Sequence, residues 1–303
     1  MIIFENVSGY NLTDLNLNIP RGEIVGLLGA SGSGKTTLLR LACGLLAPDE
    51  GRVRTFGKDP VVSRRKIAGK MGVFLAGTPL LDPEDTVLQG CQVIWSMYPA
   101  EERFEERYRY LAEKLDFAEH SDTKVKNLSL GQKMRAELGA TLLHRPELII
   151  LDEPSVGLDE NGKAALAEVL RESAAQGSTV LLSSHVLGTL SGVCTRLVLL
   201  EKGKLSFYGS LENLRRKYRP VNTMNIAFSG TIPDFDDLPV RRYSLTGNSL
   251  TLEYDSNHIT AAEITAFLMN QTGLEKISIR KPDLEEILAE RNSHEFDRSE
   301  THQ

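Results

Sequence analysis

The chain has 303 residues, 41% hydrophobic and 25% charged, with a formal net charge of −6. That length accommodates about two domains with ordinary cores, and the acidic balance argues against nucleic acid as a partner. The sequence has no apolar stretch of the roughly 18 to 20 residues a membrane span needs and no basic n-region at its start, and Cys43, Cys91 and Cys194 show no C-x-x-C spacing, so a soluble, cytosolic protein without disulfides or a zinc site is expected.

Taken in chain order, Ile2-Ile3-Phe4 and Leu12 to Ile19, with Leu15, Leu17 and Ile19 on one face, predict an antiparallel β entrance. Glu23 to Leu28 suits a buried parallel strand, and Lys35 to Leu41 carries helical periodicity. Between them, Gly29-Ala30-Ser31-Gly32-Ser33-Gly34-Lys35-Thr36 is a full G-x-x-x-x-G-K-[ST] phosphate loop. Gly29, Gly32 and Gly34 free the backbone so that N–H groups can meet phosphate oxygens at a helix N-terminus. Lys35 is placed for the β- and γ-phosphates, and the Thr36 hydroxyl for Mg²⁺. A nucleoside triphosphate held from Gly29 through Thr37 is the expectation.

The basic clusters Arg64-Arg65-Lys66 and Arg215-Arg216-Lys217 are short and read as solvated helix faces. From Leu81 to about Lys126 helix formers dominate, predicting a helical insert with Val87, Val93, Ile94, Tyr108, Leu111 and Leu115 turned inward. Apolar runs return at Leu148 to Leu151, Val180 to Leu182 and Leu197 to Leu200, separated by helical stretches, as a parallel sheet with crossover helices requires. The first of these runs ends in Asp152-Glu153. Adjacency at a strand end sends the two carboxylates to different tasks, Asp152 toward the metal and Glu153 toward the attacking water.

Beyond Arg219-Pro220 a smaller unit is predicted. Met224, Ile226 and Phe228 alternate, as do Leu250, Leu252 and Tyr254, around a turn at Thr246 to Ser249. Thr260 and Glu263 have capping-box spacing for a helix, Ile277 and Ile279 suggest a further strand, and Asp283 to Arg291 a last helix before a polar tail from 292 to 303.

Three further motifs carry a family resemblance. Leu128-Ser129-Leu130-Gly131-Gln132 resembles the signature of ABC-type ATPases, Pro154 to Asp159 resembles their D-loop, Ser183-Ser184-His185 their switch histidine, and the match in order and spacing runs over roughly residues 2 to 218. Gly131 to Arg135, and the stretch from Leu142 to Asp159, are similar to nucleotide-binding subunits of bacterial ABC-2-type exporters. The implied fold is an α/β P-loop NTPase domain at 1–218, with a mostly parallel sheet core, an antiparallel β entrance and a helical subdomain at about 82–130. A small C-terminal α+β accessory domain follows at 219–291.

The resemblance implies ATP and Mg²⁺ as cofactors, with Thr36 and Asp152 at the metal and Glu153, His185 and Lys35 in catalysis. It places Tyr10 where an aromatic stacks on adenine. Ser129, Gly131, Gln132 and Asp159 would face nucleotide bound by a second ABC ATPase subunit, and an integral membrane permease would hold the pair on the inner face of the membrane. The family's glutamine between the phosphate loop and the helical insert is missing: its place falls on Ala76 or Gly77. Two rival expectations follow, a weakly hydrolysing regulatory half of an asymmetric pair and an ABC ATPase not linked to transport.

Overall fold

The continuous apolar runs form the buried centre of a six-stranded sheet. A computed structural model describes residues 1–98, 103–218, 222–230, 234, 238–255, 258–280 and 284, and the chain divides into two compact units, 1–211 and 212–303. The first unit opens with β1 (Ile2–Gly9), β2 (Leu12–Ile19), β3 (Ile24–Leu28), α1 (Lys35–Ala42), β4 (Glu50–Thr55), α2 (Arg64–Ile67) and β5 (Met71–Phe74). Helices α3 (Val87–Ser96), α4 (Phe104–Lys114) and α5 (Leu130–Leu142) follow. Then come β6 (Leu148–Leu151), α6 (Glu160–Ala175), β7 (Thr179–Ser184), α7 (Leu187–Ser191), β8 (Arg196–Glu201) and β9 (Lys204–Gly209).

The large sheet has the order β5-β6-β7-β3-β8-β9, parallel except for the β8–β9 hairpin. Every residue of β3, β6 and β7 is buried, which is why these strands read as unbroken apolar runs rather than alternating ones. The parallel register sets Leu28 beside Ser184 and Leu151 beside Leu182. The carboxyl ends of β3, β6 and β7 therefore lie together, at the edge where open α/β sheets bind ligands. A second sheet, β2-β1-β4, is antiparallel. Its Phe4, Leu15 and Ile19 share one core with Leu38 and Leu41 of α1 and with Val198 and Leu200 of β8.

In the helical part Val87, Tyr108, Leu111 and Leu115 are buried and Ile94 is half-buried, as the periodicity predicts. Val93 departs from that reading and is 48% exposed. The buried stripe of α3 runs through Val87, Gly90 and Cys91, and a residue six positions after Val87 is turned about 240° away at 100° per residue. Thr86 and Gln89 close a capping box at the start of this helix.

The second unit contains α8 (Leu211–Lys217), whose first residue falls at the boundary, then β10 (Asn222–Ser229), β11 (Val240–Thr246), β12 (Ser249–Tyr254), α9 (Ala261–Met269) and β13 (Gly273–Arg280). Its antiparallel sheet has the order β11-β12-β10-β13. Met224, Ile226, Phe228, Leu250, Leu252 and Tyr254 form its core with Ile264 and Leu268 of α9. Gly247 takes a φ of 56° in the β11–β12 turn, and Thr260 caps α9 with Glu263. The expected last helix lies outside the described residues except at Leu284, and the tail from 292 lies wholly outside them.

Candidate active site

Residues 29–34 join β3 to α1. A Cβ on Gly29 would lie 2.5 Å from the Leu200 carbonyl oxygen and 2.5 Å from Ser33 Oγ, so no larger residue fits there. Gly34 is the N-cap of α1 at φ 107°, a conformation side chains rarely adopt, and supplies no capping side chain. Among the described residues, the N–H groups of Ser31, Gly32, Gly34, Lys35 and Thr36 donate to no protein acceptor. Ser33 Oγ is buried and also lacks a partner among them. Open donors at the positive end of a helix suit an anion with several oxygens, and the phosphates of ATP fit this set.

Lys35 is buried, and its Nζ donates to the carbonyls of Gly29 at 2.7 Å and Ala30 at 3.0 Å. The same nitrogen is 4.0 Å from Glu153 Oε1. Burial holds the ammonium pKa below its ordinary value, opposed by the charges of Glu153 and Asp152.

The two adjacent carboxylates diverge. Asp152, buried at the end of β6, accepts from Thr36 Oγ1 at 2.8 Å and from Ser183 Oγ at 2.6 Å. The pairing of a hydroxyl with a carboxylate is a hard-oxygen donor set of the kind Mg²⁺ prefers, so Thr36 and Asp152 fit the ion. Glu153 has a φ of 49°, a left-handed conformation that costs a non-glycine residue about 1 to 3 kcal/mol and persists only where its surroundings enforce it. Ser183 Oγ accepts the Glu153 N–H at 2.9 Å, and Glu153 Oε2 lies 3.1 Å from His185 Nδ1. One serine thus holds both the Asp152 carboxylate and the backbone of Glu153. Sequence reasoning quoted Ser183 only as part of the switch motif; a hydroxyl ending the buried β7 run was the available signal.

Ser129, Gly131, Gln132 and Asp159 form a second set. Ser129 caps α5, its Oγ accepting the Gln132 N–H at 3.3 Å while Gln132 Oε1 accepts the Ser129 N–H at 2.9 Å. A Cβ on Gly131 would lie 2.9 Å from the Gly157 carbonyl oxygen, so the signature helix sits close against the D-loop backbone. Asp159 caps α6 through the Gly162 N–H at 2.9 Å and accepts from Arg135 Nη2 at 2.7 Å. The Gly162 bond, followed by the Arg135 charge, lowers its pKa. No side-chain hydrogen bond among the described residues joins this set to the phosphate-loop set.

Tyr10 is 61% exposed at the tip of the β1–β2 turn. After β5, Leu75 and Thr78 close a turn through a 3.0 Å N–H to carbonyl bond, with Gly77 at φ 79°. Ala76 and Gly77 therefore stand at the turn where the expected glutamine would be. The buried Glu137 of α5 was not singled out from sequence; its carboxylate accepts the N–H groups of Leu80 at 2.8 Å and Leu81 at 3.3 Å. Burial raises its pKa.

The family model for ABC transporters matches residues 12–156. The Nod factor export ATP-binding protein I of Bradyrhizobium diazoefficiens is 30% identical over 95% of this chain and 93% of its own length. The chain belongs to the ABC transporter ATP-binding family. Another relative of this ABC protein, the uncharacterized ATP-binding protein YhaQ of Bacillus subtilis, is 30% identical over 91% of the chain and 92% of the relative. A solved ATP-binding subunit of an ABC transporter superposes with a TM-score of 0.67 at 28% identity, covering 72% of this chain and 93% of that one. A dimeric post-hydrolysis state of the ATP-binding cassette MJ0796, bound to ADP and Pi, superposes with a TM-score of 0.60 at 27% identity over 70% of this chain and 99% of that one. ATP-binding cassettes of this family are ATPases, and this α/β chain with its mostly parallel sheet is one of them. No helix among the described residues is long and apolar enough to cross a membrane.

Proposed function

We propose that the chain is the ATP-hydrolysing subunit of an exporter, pairing with a second ABC ATPase subunit to drive a separate membrane permease. The observation that carries this reading is the single bonded cluster of Thr36, Asp152, Ser183, Glu153, Lys35 and His185 at the carboxyl ends of β3, β6 and β7. In it, the open N–H groups and Lys35 bind the phosphates, and Thr36 with Asp152 holds Mg²⁺, which neutralises phosphate charge when bound. Glu153 orients the attacking water and accepts its proton, and His185, beside Glu153, contacts the γ-phosphate. Tyr10 stacks on the adenine.

Ser129 and Gly131 at the start of α5 meet the γ-phosphate held by the other subunit, so two ATP molecules are enclosed between head-to-tail partners. Moving such a pair from 1:99 to 99:1 closed takes about 5.5 kcal/mol of differential binding, within reach of charge-assisted hydrogen bonds at two sites. The exporter reading draws on the Nod factor export relative, whose match extends through the second unit. Val93 and Met97, exposed about one turn apart at the end of α3, offer the permease an apolar contact on the helical part. On this reading the chain sits on the cytoplasmic face of the membrane through its partner, with the C-terminal unit as an accessory domain.

Ala76 and Gly77 favour a second reading, in which hydrolysis is slow and this chain is the regulatory half of an unequal pair. Glu153→Gln in the full chain tests the main reading. Turnover should fall about a hundredfold or more while ATP affinity stays within about twofold; unchanged turnover would remove Glu153 from the chemistry.

A further inference from the structure

The turn that carries Tyr10 is built with unusual constraint for an exposed loop. It is two residues long, Gly9 pairing with Leu12 across it, and Tyr10 is held at φ 57° although most of its side chain is exposed. A left-handed conformation at an aromatic residue is unfavourable and needs something outside the residue to hold it. The neighbouring Asn11 supplies two ties. Its Nδ2 donates to the Gly32 carbonyl at 2.8 Å, and its Oδ1 accepts from the Thr37 hydroxyl at 2.8 Å. One side chain thus spans from the β1–β2 turn to both the phosphate loop and the first turn of α1.

A third tie comes from the β8–β9 turn. Gly203, at φ 77°, accepts the Thr13 N–H at 2.9 Å and donates its own N–H to the Ser33 carbonyl at 3.2 Å. A Cβ at Gly203 would come within 1.8 Å of the Asn11 carbonyl oxygen, so the two turns are in direct backbone contact. The β1–β2 turn, the phosphate loop and the β8–β9 turn form a closed bonded triangle. The bonds that close this triangle join only neutral groups, the Asn11 amide, the Thr37 hydroxyl and backbone N–H and carbonyl groups, so their effect is geometric.

We infer that Asn11 is a positioning residue that fixes the distance and angle between Tyr10 and the phosphate loop, so that base and phosphates are recognised as one rigid unit. The inference rests on the proposed stacking of Tyr10 on adenine. Without Asn11 the phosphate loop keeps its own glycines and Lys35, but the tyrosine is no longer held over a defined point. Preorganisation of this kind lowers the ordering cost of binding rather than adding a contact. Its loss therefore shows with a ligand that has both base and phosphates, and not with phosphates alone.

The test titrates the full chain with ATP and, separately, with inorganic tripolyphosphate, for Asn11→Ala, Tyr10→Ala and the double variant. Asn11→Ala and Tyr10→Ala should each weaken ATP binding about tenfold, the scale of one base–aromatic stack. Tripolyphosphate affinity should change less than about twofold, and Asn11→Ala should cost less than about twofold more once Tyr10 is gone. Equal losses for both ligands, full additivity in the double variant, or no loss in Asn11→Ala would overturn the inference while leaving the stacking intact. No loss of ATP affinity in Tyr10→Ala would overturn the stacking itself, and the inference with it. Should Asn11→Ala fail to fold, Asn11→Ser, which keeps a short polar side chain, carries the same comparison.

Discussion

The helix that begins at Lys35 and the helix that begins at Leu130 both present an N-terminus preceded by a glycine- or serine-bearing motif, yet they are finished in opposite ways. At α1 the cap is a glycine with no side chain, the first N–H groups have no protein acceptor among the described residues, and a buried lysine stands beside them. At α5 a reciprocal capping box uses the Ser129 hydroxyl and the Gln132 amide on the helix's own backbone, and the adjacent Leu130 is 63% exposed. The first terminus is an anion site ready before the ligand arrives. The second is self-satisfied, and in the proposed assembly it exchanges an internal bond for one to phosphate only when a partner delivers the charge. A gain that depends on closure is what lets nucleotide control association.

Substitutions at the two helix starts should separate these roles. Lys35→Ala removes the charge at the ready site, and the isolated chain should lose ATP affinity by about a hundredfold or more in a titration, because a desolvated charge-assisted contact is lost. A smaller loss would mean that the open N–H groups suffice. Gly29→Ala forces a Cβ into the Leu200 carbonyl and Ser33, and should destabilise the chain by about 2 kcal/mol, read as a lowered melting midpoint. An unchanged midpoint would show that the loop is looser than its packing implies. Ser129→Ala touches only the self-capped end. It should cost about 1 kcal/mol of stability, leave ATP affinity of the isolated chain within about twofold, and weaken ATP-driven association. Equal loss of affinity in the isolated chain would erase the distinction between the two helix starts.

What was legible in the sequence follows the range of the interactions involved. The phosphate loop, the strand ending in Asp152-Glu153 and the capping box at Thr260 depend on neighbours a few residues apart, and each is found where local pattern places it. The failure at Val93 is one of phase: an apolar residue on a helix says nothing about which way it points until the buried stripe is known. Ser183, Asn11 and Glu137 act across separations of about 21 to 57 residues. Their partners are set by sheet order and helix packing, which a single chain of letters does not display. The strand order β11-β12-β10-β13 was likewise beyond local pattern, since alternation marks a strand but not its neighbours.

In the proposed assembly the α1 site of one subunit and the α5 site of another share a nucleotide. Light scattering on the Glu153→Gln chain, with and without ATP and Mg²⁺, tests this most directly. A monomer should double in mass when ATP is added and stay a monomer when Ser129→Arg is introduced alongside. A mass that ignores ATP, or a dimer that forms equally well without Ser129, would contradict it.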